Sequence, residues 1–268
     1  MSIRKSIAAA FILGSLLLPS SVSAQFNWPY KVTNGKAVTE VPVRAAGQES
    51  ALNMTTPKLK VVRVAFVGLG MRGHDAVERW THIPGIQVMA LCDYERDRAE
   101  RCQEYLRKAS MPAADIYSGE AGYKELCKRK DIDLVYIAPD WKHHFLVAYE
   151  AMNNGKHVAV EVPAAMNLTE IWKLIDISEK KRLHCMMLEN CCYDFFELNS
   201  LNMAQKDVFG EILYVQGAYR HELSKFWDAY WKKDAQDKLG WRLDYNQKFR
   251  GDVYATHGLG PIAQVLNI

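Results

Sequence analysis

The sequence predicts an α/β protein: a doubly wound parallel sheet, followed by an incomplete α+β second domain. Three observations predict it. Residues 59–191 alternate apolar, strand-like runs with helical patterns, the order that builds parallel strands joined by crossover helices. The first of those runs, "VRVAFV", leads into a glycine-rich turn and then a helix. After Asn190 the alternation stops, and polar, aromatic sequence of little periodicity takes over.

The elements follow in order. "LKVVRVAFVG" is a continuous apolar run, as expected of a strand covered on both faces. "HDAVERWTHI" reads as a helix, "IQVMALCD" as a second strand and "ERDRAERCQEYLRKAS" as an amphipathic helix. "GYKELCKRK" is a short helix, "IDLVYIAPD" a strand, and a helix from about His144 to Asn153 ends at Gly155, suited to a left-handed cap. "KHVAVEVP" is the next strand. The helix in "NLTEIWKLIDISEKKR" opens with a capping pattern at Asn167 and Glu170, and "LHCMMLEN" closes the series. Beyond it, a helix is expected at about 194–206, a strand with one exposed face in "GEILYVQGAY", and a last helix from near Thr256. One strand cannot form a stable sheet alone, so the second domain reads as incomplete.

Residues 1–24 have the form of a secretory signal: Arg4 and Lys5, an apolar run from about Ile7 to Leu18, then Val22-Ser23-Ala24. The run is short for a bilayer, and no stable membrane span is expected. Export to the periplasm or medium is therefore expected. No Cys follows the cleavage site, and no Arg pair marks a twin-arginine route. Residues 25–58 read as an extended arm or linker, 59–191 as the sheet domain, and 192–268 as the start of the second domain.

The formal net charge is +3, and removal of Arg4 and Lys5 leaves +1 because no acidic residue precedes position 25. This near-neutral balance argues against nucleic acid as a partner. "CKRKD" and "EKKRLH" fall where helices end, a favourable place for cations. The six cysteines stand at 92, 102, 127, 185, 191 and 192. Cys92 and Cys185 lie inside apolar strand patterns, and no metal-binding spacing appears, so free core thiols and no metal are expected.

Gly68, Gly70 and Gly73 form G-x-G-x-x-G between a strand and a helix. The first glycine permits the tight turn, the second lets backbone approach a pyrophosphate, and the third lets helix meet strand. Asp93 ends the next strand, where a carboxylate can hold the ribose of NAD; Arg96 and Arg98 nearby leave the phosphorylated cofactor open. A Rossmann-type NAD site is the expectation. Ligands of such sheets sit beyond the carboxyl ends of the strands, where "PDWKHH", "EVP" and Glu189-Asn190 fall.

"VAFVGLGMRG", "IAPD" and "NGKHVAVEVP" resemble the Gfo/Idh/MocA family of sugar-handling NAD proteins. Many members carry E-K-P where this chain has Glu161-Val162-Pro163, and a Val can neither take a proton nor donate a hydrogen bond. "EVP", "GAYRHEL", "GWRLDYNQKFRGD" and "YATHGLGP" resemble one branch with the Val in place: glycoside hydrolase family 109, the NAD-dependent α-N-acetylgalactosaminidases. The similarity runs from about residue 60 to the end. It implies cofactor contacts at Met71, Arg72, Asp93, Trp141, Lys142, His143, His144, Glu161, Val162 and Asn190. It implies substrate contacts at Tyr219, Arg242, Tyr254, Ala255, Thr256 and His257.

The implied chemistry is redox-assisted cleavage: transient oxidation at C3 of the sugar, loss of the C2 proton, expulsion of the C1 substituent, addition of water and return of the hydride. NAD is regenerated in each turnover, so a tightly held cofactor could work outside the cytoplasm. His257 and His221 suit the two proton transfers in type, Tyr219 or Tyr254 could orient a hydroxyl or act as base, and Arg242 offers a planar donor fork. Trp227, Trp231 and Trp241 could face a sugar ring or simply anchor a loop. The implied partner is a small molecule or glycan with terminal N-acetylgalactosamine, and a homo-oligomer of the full-length form stays open. A sugar oxidoreductase and a noncatalytic binding module are the alternatives. The family layout continues beyond residue 268, so the chain is expected to be truncated at its C-terminus and, by itself, poorly soluble or inactive.

Overall fold

A computed structural model describes residues 30–222, 224–226, 240–248 and 254–268. The proposed signal segment, residues 25–29 of the arm, Trp227 and Trp231 lie outside the described residues. The core is a six-stranded parallel sheet. Its strands are β3 (Val62–Val67), β4 (Ile86–Asp93), β5 (Asp115–Ser118), β6 (Leu134–Ile137), β7 (His157–Val160) and β8 (Cys185–Met187), in spatial order β5-β4-β3-β6-β7-β8. The order reverses between β3 and β6, the switch point of a doubly wound fold. The α/β class and Rossmann topology are as expected.

Helices α1 (Met71–Trp80) and α2 (Arg96–Lys108) cover one face. Helices α3 (Gly122–Lys128), α4 (Trp141–Asn153) and α5 (Leu168–Lys181) cover the other. The period-2 alternation of β3 divides its side chains between two cores: Val64 and Phe66 point one way, Ala65 and Val67 the other. Each large aliphatic or aromatic side chain so buried contributes about 1.5–3 kcal/mol. The Asn167 carboxamide caps α5 by accepting the Glu170 N–H at 3.0 Å, while Glu170 reaches back to the Met166 N–H. All six cysteines are free, and burial pushes the Cys92 and Cys127 thiols up to about 12.

The structure corrects the arm. Residues 30–39 form an antiparallel hairpin, β1 (Tyr30–Thr33) and β2 (Lys36–Thr39), turning at Asn34-Gly35 with positive φ at both. Residues 44–50 are then pinned to α5. Arg44 donates to both oxygens of Glu179 at 2.8 and 2.9 Å, Gln48 donates to Glu179 at 2.9 Å, and Arg182 holds the carbonyls of Glu49 and Ser50.

It also corrects the second region. Residues 210–219 form no strand, because no strand of the described residues lies beside them to complete a ladder. α6 (Phe195–Gln205) and α8 (Thr256–Leu266) fall where expected, but α7 (Trp241–Lys248) stands in sequence read as irregular. Among the described residues no helix is long and apolar enough to cross a membrane.

Candidate functional site

The glycine turn joins β3 to α1 at the switch point. Gly68 has φ +86°, and a Cβ built on it would stand 2.2 Å from the Pro139 nitrogen; one on Gly73 would stand 1.8 Å from the Gly68 carbonyl oxygen. Gly70 differs: a Cβ there would meet nothing within 4 Å. The space is open above the start of α1, where the first N–H groups of the helix lack carbonyl partners within it. That arrangement fits a dinucleotide pyrophosphate.

Asp93 is buried at the tip of β4. Its Oδ2 accepts the Leu69 N–H at 2.6 Å and its Oδ1 accepts the Glu95 N–H at 3.0 Å, so it holds the glycine turn as well as marking the ribose position. Arg98 stands 3.4 Å from the same Oδ1, and Arg96 is engaged by Glu100 at 2.9 Å. Met71 is exposed, and Arg72 is exposed with its Nε 3.7 Å from Glu161.

The ends of β6, β7 and β8 supply the remaining edge. Asp140 caps α4, accepting the Lys142 N–H at 3.0 Å and facing His143 Nδ1 at 2.5 Å; this bond raises the His143 pKa. His144 is buried, donates from Nδ1 to the Pro163 carbonyl at 2.7 Å, and has its pKa lowered by that burial. Glu161 accepts the Tyr136 hydroxyl at 2.5 Å, and buried Val162 precedes Pro163 across a cis bond. Asn190 is exposed and opens a short 3-10 turn, Asn190–Tyr193.

An aromatic group lies beside that edge. Trp141, the first residue of α4, stacks on Tyr254 at 5.2 Å and meets Trp241 and Tyr245 edge-on at 5.1 and 5.0 Å. The Arg242 guanidinium stands 5.0 Å from the Trp141 ring and 4.9 Å from that of Tyr254. The His257 ring is 4.2 Å from Tyr219 and 4.9 Å from Tyr254, and Tyr219 is 4.2 Å from His221. Tyr219, Tyr254, Ala255 and Gly258 line a hollow of about 220 Å³. Thr256 Oγ1 and His257 Nε2 are buried without hydrogen-bond partners among the described residues. Burial pushes the Tyr254 hydroxyl up to about 12.

Residues 62–189 match the family model described as oxidoreductase family, NAD-binding Rossmann fold (Gfo/Idh/MocA), and residues 193–268 match the glycosyl hydrolase 109 C-terminal domain. The chain joins a Gfo/Idh/MocA domain to a glycosyl hydrolase 109 C-terminal domain. It is 62% identical over 272 aligned positions to glycosyl hydrolase family 109 protein 5 of Phocaeicola vulgatus, covering 98% of this chain and 52% of that one. Identity to family 109 protein 1 of Bacteroides thetaiotaomicron is 56% over 265 positions, covering 98% and 55%. The chain thus spans about half the length of the curated relatives it matches. Among solved structures, myo-inositol 2-dehydrogenase from Lactobacillus plantarum is similar in fold, with a TM-score of 0.50, 21% identity, and coverage of 58% of this chain and 44% of that one.

The Rossmann half of this chain is an NAD(P)-binding domain. The structure gathers all the expected cofactor residues along one sheet edge, and the expected substrate residues Tyr219, Arg242, Tyr254, Ala255, Thr256 and His257 next to it. The sequence reasoning treated Glu189 only as a strand-end residue. The structure sets its buried carboxylate 2.5 Å from His257 Nδ1, across 68 residues that no local spacing can connect. Tyr136 beneath Glu161 was also missed; within "DLVYIAP" it reads only as part of a buried strand.

Proposed function

We propose that the protein to which this chain belongs is a glycosidase that holds NAD tightly and releases α-linked N-acetylgalactosamine. The observation that carries the reading is the His257, Tyr219 and Tyr254 group seated against the carboxyl ends of a Rossmann sheet. When bound, NAD supplies a hydride acceptor for C3 of the sugar and returns the hydride at the end of the turnover. Asp93, at the tip of β4 with Arg98 already engaged, supports NAD over its phosphorylated form.

The chain's own residues handle protons and orientation. His257 Nε2, with no partner among the described residues, takes the C3 hydroxyl proton and later gives it back. Tyr254 stays protonated at neutral pH and so donates a hydrogen bond rather than acting as base. Tyr219, half-exposed beside His221, faces the hollow from the solvent side and is placed to serve the C2 proton. Arg242 is held over Trp141 and Tyr254, which aims its donor fork at sugar oxygens. Export as a soluble protein after signal cleavage is part of the same proposal.

The test is hydrolysis of para-nitrophenyl α-N-acetylgalactosaminide by the full-length protein, with NADH absorbance followed in parallel. Steady nitrophenol release without NADH accumulation, and solvent deuterium at C2 of the product, are expected. NADH building up with free sugar would establish the oxidoreductase instead.

A further inference from the structure

We propose that Glu189 is a positioning residue for His257: its buried carboxylate takes the Nδ1 proton as a hydrogen bond and thereby leaves Nε2 as the atom that accepts protons. This rests on the glycosidase reading, whose proton acceptor it specifies. The two side chains belong to different parts of the chain. Glu189 closes the segment matched to the NAD-binding family, and His257 lies in the segment matched to the hydrolase domain.

The geometry defines the tautomer. His257 Nδ1 and Glu189 Oε1 are 2.5 Å apart, and the two side chains are 1% and 5% exposed. The same Oε1 also accepts the Cys191 N–H at 3.1 Å. A carboxylate oxygen can only accept, so pairing with the Glu189 carboxylate puts the shared proton on His257 Nδ1. A neutral imidazole has one N–H, and with Nδ1 committed the Nε2 lone pair is bare. Nε2 is buried with no hydrogen-bond partner among the described residues, beside the Tyr219 and Tyr254 rings. When Nε2 takes a proton from a sugar hydroxyl, the O–H bond breaks, an N–H bond forms, and the positive charge is spread over a ring already paired with a carboxylate. Orientation of a base by a third group follows the same logic as a catalytic triad.

Packing holds the carboxylate in place. The Cys191 N–H anchors it at the head of the 3-10 turn. A Cβ on Gly260 of α8 would come within 3.0 Å of Glu189 Cγ, so the helix that carries His257 lies directly on the Glu189 side chain. Cys191 Sγ is close enough to complete a three-ligand cluster with Glu189 and His257. The distances favour a hydrogen bond over a chelate. Two ligands on a tetrahedral zinc at about 2.0–2.1 Å stand roughly 3.3 Å apart, well beyond the separation seen here.

The test uses the full-length protein with nitrogen-15 labelled histidine. At neutral pH the His257 signals are expected to show a protonated Nδ1 and an unprotonated Nε2 in the wild type. Glu189→Gln keeps an acceptor oxygen but removes the charge; kcat is expected to fall on the order of a hundredfold with KM within about threefold. Glu189→Leu is expected to lose the single-tautomer signature. Retained NAD and an unchanged circular dichroism spectrum confirm that both variants fold. A wild-type His257 protonated at Nε2, stoichiometric zinc surviving dialysis, or Glu189→Gln with wild-type kcat would each overturn the proposal. The tautomer is read without substrate, so the expected signature in a protein that cleaves no glycoside would refute the glycosidase reading while leaving the positioning role intact.

Discussion

Replacing Gly70 by Ala is expected to spare the fold and weaken NAD binding, whereas Gly68→Ala is expected to damage the turn itself. The two glycines sit two residues apart, yet their surroundings differ. A methyl group on Gly68 would lie 2.2 Å from backbone nitrogen of Pro139, and φ there is +86°. The left-handed backbone costs about 1–2 kcal/mol for a non-glycine residue, and overpacking against rigid backbone a further 1–3 kcal/mol or so. At about 2–4 °C per kcal/mol, the melting temperature should fall by roughly 5–20 °C. Gly70 has φ −68° and open space around its Cβ position. Its cap loss and the entropy gain of Gly→Ala nearly cancel, leaving stability within about 1 kcal/mol. The methyl group would, however, occupy the approach of the pyrophosphate. Losing one charge-assisted hydrogen bond, about 1.5–3 kcal/mol, weakens binding roughly ten- to a hundredfold. Thermal unfolding and titration calorimetry with NAD read the two effects separately. A Gly70→Ala protein that binds NAD as tightly as wild type would refute the placement of the phosphates, and a Gly68→Ala protein of undiminished stability would refute the close approach of the β6 end.

Acidification should weaken the fold through His144. Its folded pKa is depressed by burial below the unfolded value of about 6.5, so this contribution is whole above that pH and declines as pH falls toward the folded value. His157 acts in the same direction, through burial and then His184, while His143, raised by Asp140, opposes them. His144→Phe should flatten the acid limb of a melting-temperature profile while costing about 1–3 kcal/mol at pH 7 through the unpaired Pro163 carbonyl; an unchanged limb would exclude His144 as the cause. Arg44→Ala should speed proteolysis within residues 40–58 several-fold, because it removes both bonds from Arg44 to Glu179. The Arg44 guanidinium holds the Glu179 carboxyl below its usual range. In the wild type the same release is therefore expected only as pH falls below about 4, through the folded value of Glu179.

What could be read from the sequence depended on how locally each element is determined. The β3 run, the glycine turn and the capped helix α5 carry their signals within a few residues, and the structure has them where expected. The hairpin at 30–39 was equally local: Asn34-Gly35 is a strong turn pair, overlooked because its flanking strands expose their apolar residues and look like linker. Strand β5 is four residues, "DIYS", at a sheet edge, too short to show a period. Helix α7 has little amphipathic pattern; Trp241 and Tyr245 pack on Trp141, a contact made a hundred residues away. Residues 210–219 show the opposite failure, since alternation marks a half-buried strand but a ladder also needs a neighbour.

The segment "YATHGLGP" is among those that carry the resemblance, and the packing gives its spacing a physical reason. His257 must reach Glu189 on one side and Tyr219 on the other while riding on a single helix. A Cβ on Gly260 would stand 3.0 Å from both Cys192 Sγ and Glu189 Cγ, and one on Gly217 would stand 2.4 Å from the Gly258 carbonyl. Small residues at 217 and 260 therefore let α8 settle against the 190–193 turn and against the chain leading to Tyr219. Enlarging either would push the helix outward and lengthen the 2.5 Å contact on which the orientation of His257 depends. The candidate site is thus set less by the residues that would touch substrate than by how closely α8 can approach the end of the Rossmann sheet.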